Sequence, residues 1–180
     1  MRIALTGAHS TGKSTLLYRL KQNPIFADYY TVDNIVRQLQ KRNIPINEQG
    51  TDITQFHVIA AHVKSIKHEN LILSRCILDV LCYTEYLKLK GRVSRVIYQH
   101  ALYIFKKLIP RYDYLFYVRP EFGIVADGER STSEEFQQKI SELFEKNINL
   151  YKINVIQLKG SVEERYDQII KRLRKDGKLH

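Results

Sequence analysis

Gly7-Ala8-His9-Ser10-Thr11-Gly12-Lys13-Ser14 has the spacing G-x-x-x-x-G-K-S, and each fixed residue in that spacing has a chemical use. Glycine and small residues let successive backbone N–H groups curl around an anion. Lys13 is a point charge that can reach the β- and γ-phosphates of a nucleoside triphosphate, and the Ser14 hydroxyl is a hard ligand for Mg²⁺. A helix that starts at Lys13 and runs on through Thr15 would aim its N-terminal dipole at the same anion. His9 reads as a spacer with a backbone role. Residues 7–15 are therefore expected to bind ATP. A plain glycine turn has no reason to place Lys and Ser after its second glycine.

A cradle of this kind normally works with an Asp at the end of a second core strand, which holds the metal. Leu71-Ile72-Leu73 is the obvious second core strand, and it ends in Ser74-Arg75, without a carboxylate. If Ser74 is simply a missing carboxylate, Ser74→Asp should be tolerated and should tighten the Mg²⁺ dependence. Asp33, just past the second apolar run, is the nearest alternative. It can hold Mg²⁺ through water, accept a proton from a substrate hydroxyl, or cap the helix behind it, and these roles are compatible. Arg37 lies one turn further on, facing either the same cleft or solvent. Asp79 shares helical spacing with Cys82 and Tyr83. That face can receive a sugar or base, or Asp79 can be a surface or capping residue. Between the fourth strand and a long helix, Asp127-Gly128-Glu129-Arg130 sits in a polar loop. A lid at about residues 119–131 would fold over ATP and expel water, with Arg119 and Arg130 neutralising charge on the transferring phosphoryl group.

The elements that must position these residues alternate between short apolar runs and longer helical patterns, the signature of an α/β domain with a parallel sheet. Strands are expected at 2–6, 29–32, 71–73, 114–118 and 153–158. Helices are expected at 13–22, 33–41, 51–69, 77–89, 93–108 and 131–149, with a basic helix after Ser161. In the third helix Ile53, Phe56, Ile59, Ala60 and Val63 recur at helical spacing and are expected to face the core. Ser131 is expected to cap the sixth helix, with Glu134 three residues on, and Ser161 the last, with Glu164 three residues on. The fold class is thus a three-layer α/β/α P-loop NTPase with a five-stranded parallel sheet, and residues 1–180 form one domain. Of the 180 residues 44% are hydrophobic and 27% charged, a globular balance. No apolar run approaches the roughly 20 residues of a membrane span. The first six residues read as a strand rather than a signal peptide. Cys76 and Cys82 have no metal-type spacing and are expected as buried thiols in a reducing cytoplasm. The net charge of +10 favours anionic partners, nucleotides or nucleic acid.

The sequence resembles the P-loop kinase domain of ribosylnicotinamide kinases and the related AAA-like single-domain ATPases and kinases of phages and bacteria. The resemblance rests on Gly7 to Ser14, Asp33 to Leu39, Ser74 to Asp79 with Tyr83, Tyr112 to Val118, Asp127 to Ser131 followed by Phe136, and Gly160 to Tyr166. These stretches stand in order over nearly the whole chain. Asp127-Gly128-Glu129-Arg130-Ser131 is the most discriminating of them. The resemblance implies ATP- and Mg²⁺-dependent phosphorylation of a hydroxyl on a nucleoside-like substrate. Asp33 falls near the family's acidic residue after strand two. Asp79 falls at the second Asp of an Asp-Arg-x-x-x-Asp pattern, whose first Asp is Ser74 here and whose Arg is Arg75. Three readings follow: a kinase of a nucleoside, nucleotide or similar metabolite; a kinase of a hydroxyl on DNA or RNA, as in the phage hydroxymethyl-deoxyuridine DNA kinases; and a non-catalytic ATP-binding switch or weak nucleotidase.

Overall fold

Five short apolar runs, Arg2–Thr6 (β1), Tyr30–Val32 (β2), Leu71–Leu73 (β3), Tyr114–Val118 (β4) and Ile156–Leu158 (β5), pair in parallel in the order β2-β3-β1-β4-β5. The computed structural model describes residues 1–33, 35–120 and 133–179. β1 is central, with Ile3 opposite Ile72 on one side and Tyr114 on the other. Its residues alternate between two cores, as strand geometry requires. Ala4 packs with Leu71, Leu73, Leu115 and Tyr117 on one face; Ile3 and Leu5 pack with Ile72, Phe116 and Val118 on the other. Burial on both faces is why these runs read as continuous hydrophobic stretches.

Helices cover both faces. Lys13–Lys21 (α1) and Val162–Lys175 (α7) close one side through Leu16, Leu20, Ile169 and Leu173. The other side carries Asp52–Ser65 (α3), Ile77–Leu89 (α4), Arg95–Leu108 (α5) and Glu134–Leu150 (α6), while Ile35–Gln40 (α2) packs near α3. The three-layer α/β/α architecture and the five-stranded parallel sheet expected from the sequence are both present. The chain leaves β1 toward β2 and later crosses to β4, so the strand order reverses at β1, where ligands gather beyond the carboxyl ends of open α/β sheets.

Three local expectations need correcting. In α3, Ile53 and Phe56 are 63% and 55% exposed, Ala60 is exposed too, and the buried positions include Thr54, Gln55, Val58, Ile59 and His62. The helix turns a partly polar face inward because that face lines a pocket. The cap of α6 is Ser133, whose hydroxyl accepts from the Phe136 N–H; the expected cap, Ser131, lies outside the described residues. β5 starts at Ile156, after a turn in which Lys152 has φ 50°. The cap of α7 is as expected: Ser161 Oγ accepts from Glu164 N–H at 3.3 Å, and Glu164 Oε2 accepts from Ser161 N–H at 2.7 Å. Among the described residues no helix is long and apolar enough to cross a membrane.

Candidate active site

The loop from Gly7 to Gly12 joins β1 to α1. Gly7 has φ 138°, and a Cβ there would run into the Val118 carbonyl oxygen, so the loop can start beside β4 only with glycine. Gly12 has φ 85° and is the N-cap of α1. Ser10 is also left-handed, at φ 58°. This winding leaves the Ser10 and Gly12 N–H groups without an acceptor among the described residues, the condition of an anion-binding nest. Lys13 is buried, and its ammonium donates to Ala8 O at 2.5 Å and to Thr11 Oγ1 at 3.0 Å. The cation therefore folds back over its own loop, a position from which it can reach an anion held there. Thr15 is exposed in the first turn of α1.

Asp33 follows β2, Ser74 follows β3 and Ser14 opens α1, and the three meet. Asp33 Oδ1 accepts from Ser14 Oγ at 2.8 Å and from Ser74 Oγ at 2.8 Å. The position where a carboxylate is usual thus carries a hydroxyl that holds a carboxylate delivered by the neighbouring strand. The parallel register brings this about, since Val32 lies opposite Leu73. Ser14 Oγ and the Asp33 carboxylate are hard oxygen donors, the set that suits Mg²⁺.

Asp79 is 2% exposed, far more buried than a helix-surface residue. Its Oδ2 accepts from Thr6 Oγ1 at 2.6 Å and from the Cys76 N–H at 2.9 Å, closing a capping box on α4. Its Oδ1 has no hydrogen-bond partner among the described residues. Burial pushes the Asp79 carboxyl up, opposed by the Lys13 ammonium and by the Thr6 bond. Tyr83, one turn on, receives the His9 N–H at 3.0 Å, and its phenol is pushed up to about 12 by burial, opposed by Arg75. It therefore stays a neutral donor. Arg75 lies with its guanidinium carbon 5.5 Å from the Tyr83 ring centre.

Asp79, Arg75 and Tyr83 line one pocket with Ile35 and Val36 of α2 and with Gln55 and His62 of α3. Apolar walls with a few polar groups are the ordinary make-up of a small-molecule site. His62 is 2% exposed, its Nδ1 has no hydrogen-bond partner among the described residues, and burial followed by the Arg75 charge lowers it to about 3. The imidazole is neutral there.

Arg119 pairs with Glu145 of α6 at 2.8 Å and lies beside the Tyr117 ring. Arg130 and Asp127 lie outside the described residues, as does the Arg37 side chain. Three residues given no site role in the sequence reading belong to the site's surroundings: His62, Gln137 and Arg165. Gln137 Nε2 donates to His9 O at 2.8 Å, and Arg165 Nη1 donates to Thr11 O at 2.7 Å. Phe136 stacks on His9 with ring centres 4.9 Å apart. Arg165 carried a readable signal: it stands four residues before Ile169 and eight before Leu173, on the buried stripe of α7, where a charge needs a partner.

Residues 2–165 match the family model described as AAA domain. The chain belongs to this AAA domain family. No curated protein matches the AAA domain chain significantly over its sequence. Its fold is that of P-loop kinases. It superposes on deoxyadenosine kinase from M. mycoides with dCMP and dCDP bound, at TM-score 0.70 and 18% identity, over 97% of this chain and 99% of that one. A structure of NadR protein in complex with NR gives 0.72 and 18%, over 99% of this chain but 52% of NadR. YorR protein from Bacillus subtilis, in complex with phosphorylated GDP, gives 0.59 and 17%, over 99% and 98%.

Proposed function

We propose that this AAA domain protein is an ATP- and Mg²⁺-dependent kinase that transfers the γ-phosphate to a hydroxyl of a nucleoside, nucleotide or similar small metabolite. The observation that carries the reading is Asp33, held by Ser14 and Ser74 in front of the cradle and joined through α2 to the pocket of Asp79, Arg75 and Tyr83. The solved structures of similar fold, with nucleosides and nucleotides bound, support the same substrate class.

In this reading Gly7, Ala8, His9, Ser10, Thr11, Gly12 and Thr15 contribute backbone and first-turn contacts to the triphosphate. Lys13 moves from Ala8 O onto the β- and γ-phosphates. Ser14 and Asp33 would hold Mg²⁺, which supplies charge neutralisation to the phosphates. Asp33 also accepts the proton of the acceptor hydroxyl as the new O–P bond forms, and ADP leaves. Arg75, Asp79 and Tyr83 orient the acceptor, and Arg37 is assigned to it from sequence. Arg119 and Arg130, with Asp127, are assigned to the lid from sequence. The domain is taken as single over 1–180, and use of ATP with buried free thiols at Cys76 and Cys82 fits a cytoplasmic protein. The non-catalytic switch was suggested by the absent carboxylate at position 74, and the carboxylate of Asp33 beside Ser14 and Ser74 favours the kinase over it. A nucleic-acid acceptor rests on the net charge of +10.

The test is transfer from γ-labelled ATP to a panel of nucleosides, nucleotides, nicotinamide riboside and modified DNA. Label is expected on one class of small acceptor in the wild type and not in Lys13→Ala. Label on none of them, with ATP bound, would return the switch reading; label on DNA alone would establish the polymer reading.

A further inference from the structure

Two of the cradle's peptide groups are held from behind by side chains of helices distant in sequence. Gln137, in the first turns of α6, is 8% exposed and donates to the His9 carbonyl. Arg165, in α7, is 1% exposed and donates to the Thr11 carbonyl. A trans peptide is planar, so the C=O of one residue and the N–H of the next point in opposite directions. A donor that fixes His9 O therefore fixes the Ser10 N–H, and a donor that fixes Thr11 O fixes the Gly12 N–H. Neither the Ser10 nor the Gly12 N–H has an acceptor among the described residues.

We propose that Gln137 and Arg165 are positioning residues for phosphate binding: they hold the His9–Ser10 and Thr11–Gly12 peptides so that the Ser10 and Gly12 N–H groups face the polyphosphate. The inference rests on the cradle holding a nucleoside triphosphate. Ser10 pays a left-handed backbone, φ 58°, which for a residue with a Cβ persists only when its surroundings fix it. The Gln137 bond on one side and the Tyr83 bond to the His9 N–H on the other supply that. Gly12, unrestrained by a side chain, can flip its peptide, and Arg165 prevents it. A guanidinium fits because it is always charged, so the Thr11 carbonyl faces a permanent donor. Its charge adds a positive potential behind the loop.

Gln137→Glu keeps the shape of the side chain and loses the donor; Arg165→Lys keeps the charge and loses the fork. Affinity is read with two probes, ATP and inorganic tripolyphosphate, in titrations without acceptor, alongside thermal unfolding and the amide NMR signals of Ser10 and Gly12. Each variant is expected to bind both probes about tenfold to a hundredfold more weakly, the scale of one charge-assisted hydrogen bond. The Ser10 signal should lose most of its ligand-induced shift in Gln137→Glu, and the Gly12 signal in Arg165→Lys. A merely structural role would lower the unfolding temperature and leave these shifts in place. Wild-type affinity for both probes with unchanged Ser10 and Gly12 shifts in Gln137→Glu overturns the proposal even if Arg165→Lys fails to fold. Lys13→Ala separates the two levels: if it too binds ATP and tripolyphosphate like wild type, the cradle reading itself has failed.

Discussion

Asp33 is exposed, yet two hydroxyls hold its Oδ1, Ser14 and Ser74, each at 2.8 Å. Asparagine at 33 can still accept both bonds through its side-chain carbonyl, but it has no charge for a cation and no basicity for a proton. Asp33→Asn is therefore expected to change stability by less than about 0.5 kcal/mol and to lower activity about 10²–10⁴-fold, the range of a lost general base; initial rates against Mg²⁺ concentration and a urea melt read the two effects. Ser74→Asp now has a different expected outcome from the one the sequence suggested. Ser74 is 1% exposed and donates to Asp33, so an aspartate would replace a donor with a buried like charge. A melting temperature below wild type without Mg²⁺, recovering when Mg²⁺ is added, is expected. Lys13→Ala removes the cation closest to the cradle and should cost transfer at least about 10²-fold, measured as turnover with ATP at saturation. His62 gives a pH dependence. Its folded-state value near 3 lies below the ordinary 6.5, so between these values the unfolded chain binds the extra proton. Stability is then fully present above about pH 6.5 and falls as pH drops, by at most about 1.4 kcal/mol per pH unit from this one group. His62→Gln should flatten the acid limb of a denaturant-midpoint profile between pH 6.5 and 4; an unchanged limb would mean the imidazole is protonated in the folded protein.

At the scale of elements, the junction of β1 with α1 leaves no room for a side chain at Gly7. Gly7→Ala would set a methyl against the Val118 carbonyl while demanding φ 138° of an alanine. A loss of at least about 1–3 kcal/mol is expected in urea unfolding, with weaker ATP binding because β1 and β4 must part at the cradle. That junction was readable because its two glycines answer a local demand, backbone angles of φ 138° at Gly7 and φ 85° at Gly12. The capping box of Ser161 and Glu164 was readable for the same reason: both partners lie within four residues. Readability ended where the reason for a residue lies elsewhere in the fold. α3 exposes Ile53 and Phe56 and buries Gln55 and His62 because it borders a pocket, so its apolar periodicity points to the wrong face. Gln55 is held from α4, where Thr84 Oγ1 lies 2.8 Å from its Oε1. Ser74 looked like a defect because its partner, Asp33, stands 41 residues earlier. Arg165 looked like one more cation in a basic helix, and its acceptor, Thr11 O, is 154 residues away.

For the whole molecule the question is what the net charge of +10 means. Much of the excess stands at helix C-termini: Arg19 and Lys21 in α1, Lys106 and Lys107 in α5, Arg172, Arg174 and Lys175 in α7. Cations there offset the negative end of the helix dipole. Acidic residues stand at the opposite ends, Glu134 and Glu135 in α6 and Glu163 and Glu164 in α7. α7 begins near the cradle, where Arg165 touches Thr11, and at about 1.5 Å per residue Lys175 lies roughly 15 Å further along its axis. α1 and α7 follow strands of the parallel sheet and share this polarity, and α5 ends just before β4 begins, so these cations gather at the end of the sheet away from the cradle. They give part of the net positive charge a role in the helices themselves. A small acceptor therefore implies weak salt dependence. With ATP and Mg²⁺ saturating, kcat/KM for a neutral nucleoside should change less than about threefold between 50 and 200 mM salt. A polymer that neutralises several lysines and arginines releases a counterion at each phosphate contact, so its log kcat/KM should fall with log salt by about 0.9 per contact. Oligonucleotide acceptors phosphorylated with a slope of about −3 or steeper, alongside inert nucleosides, would show that the basic face takes part in catalysis and would replace the small-metabolite reading with the nucleic-acid one.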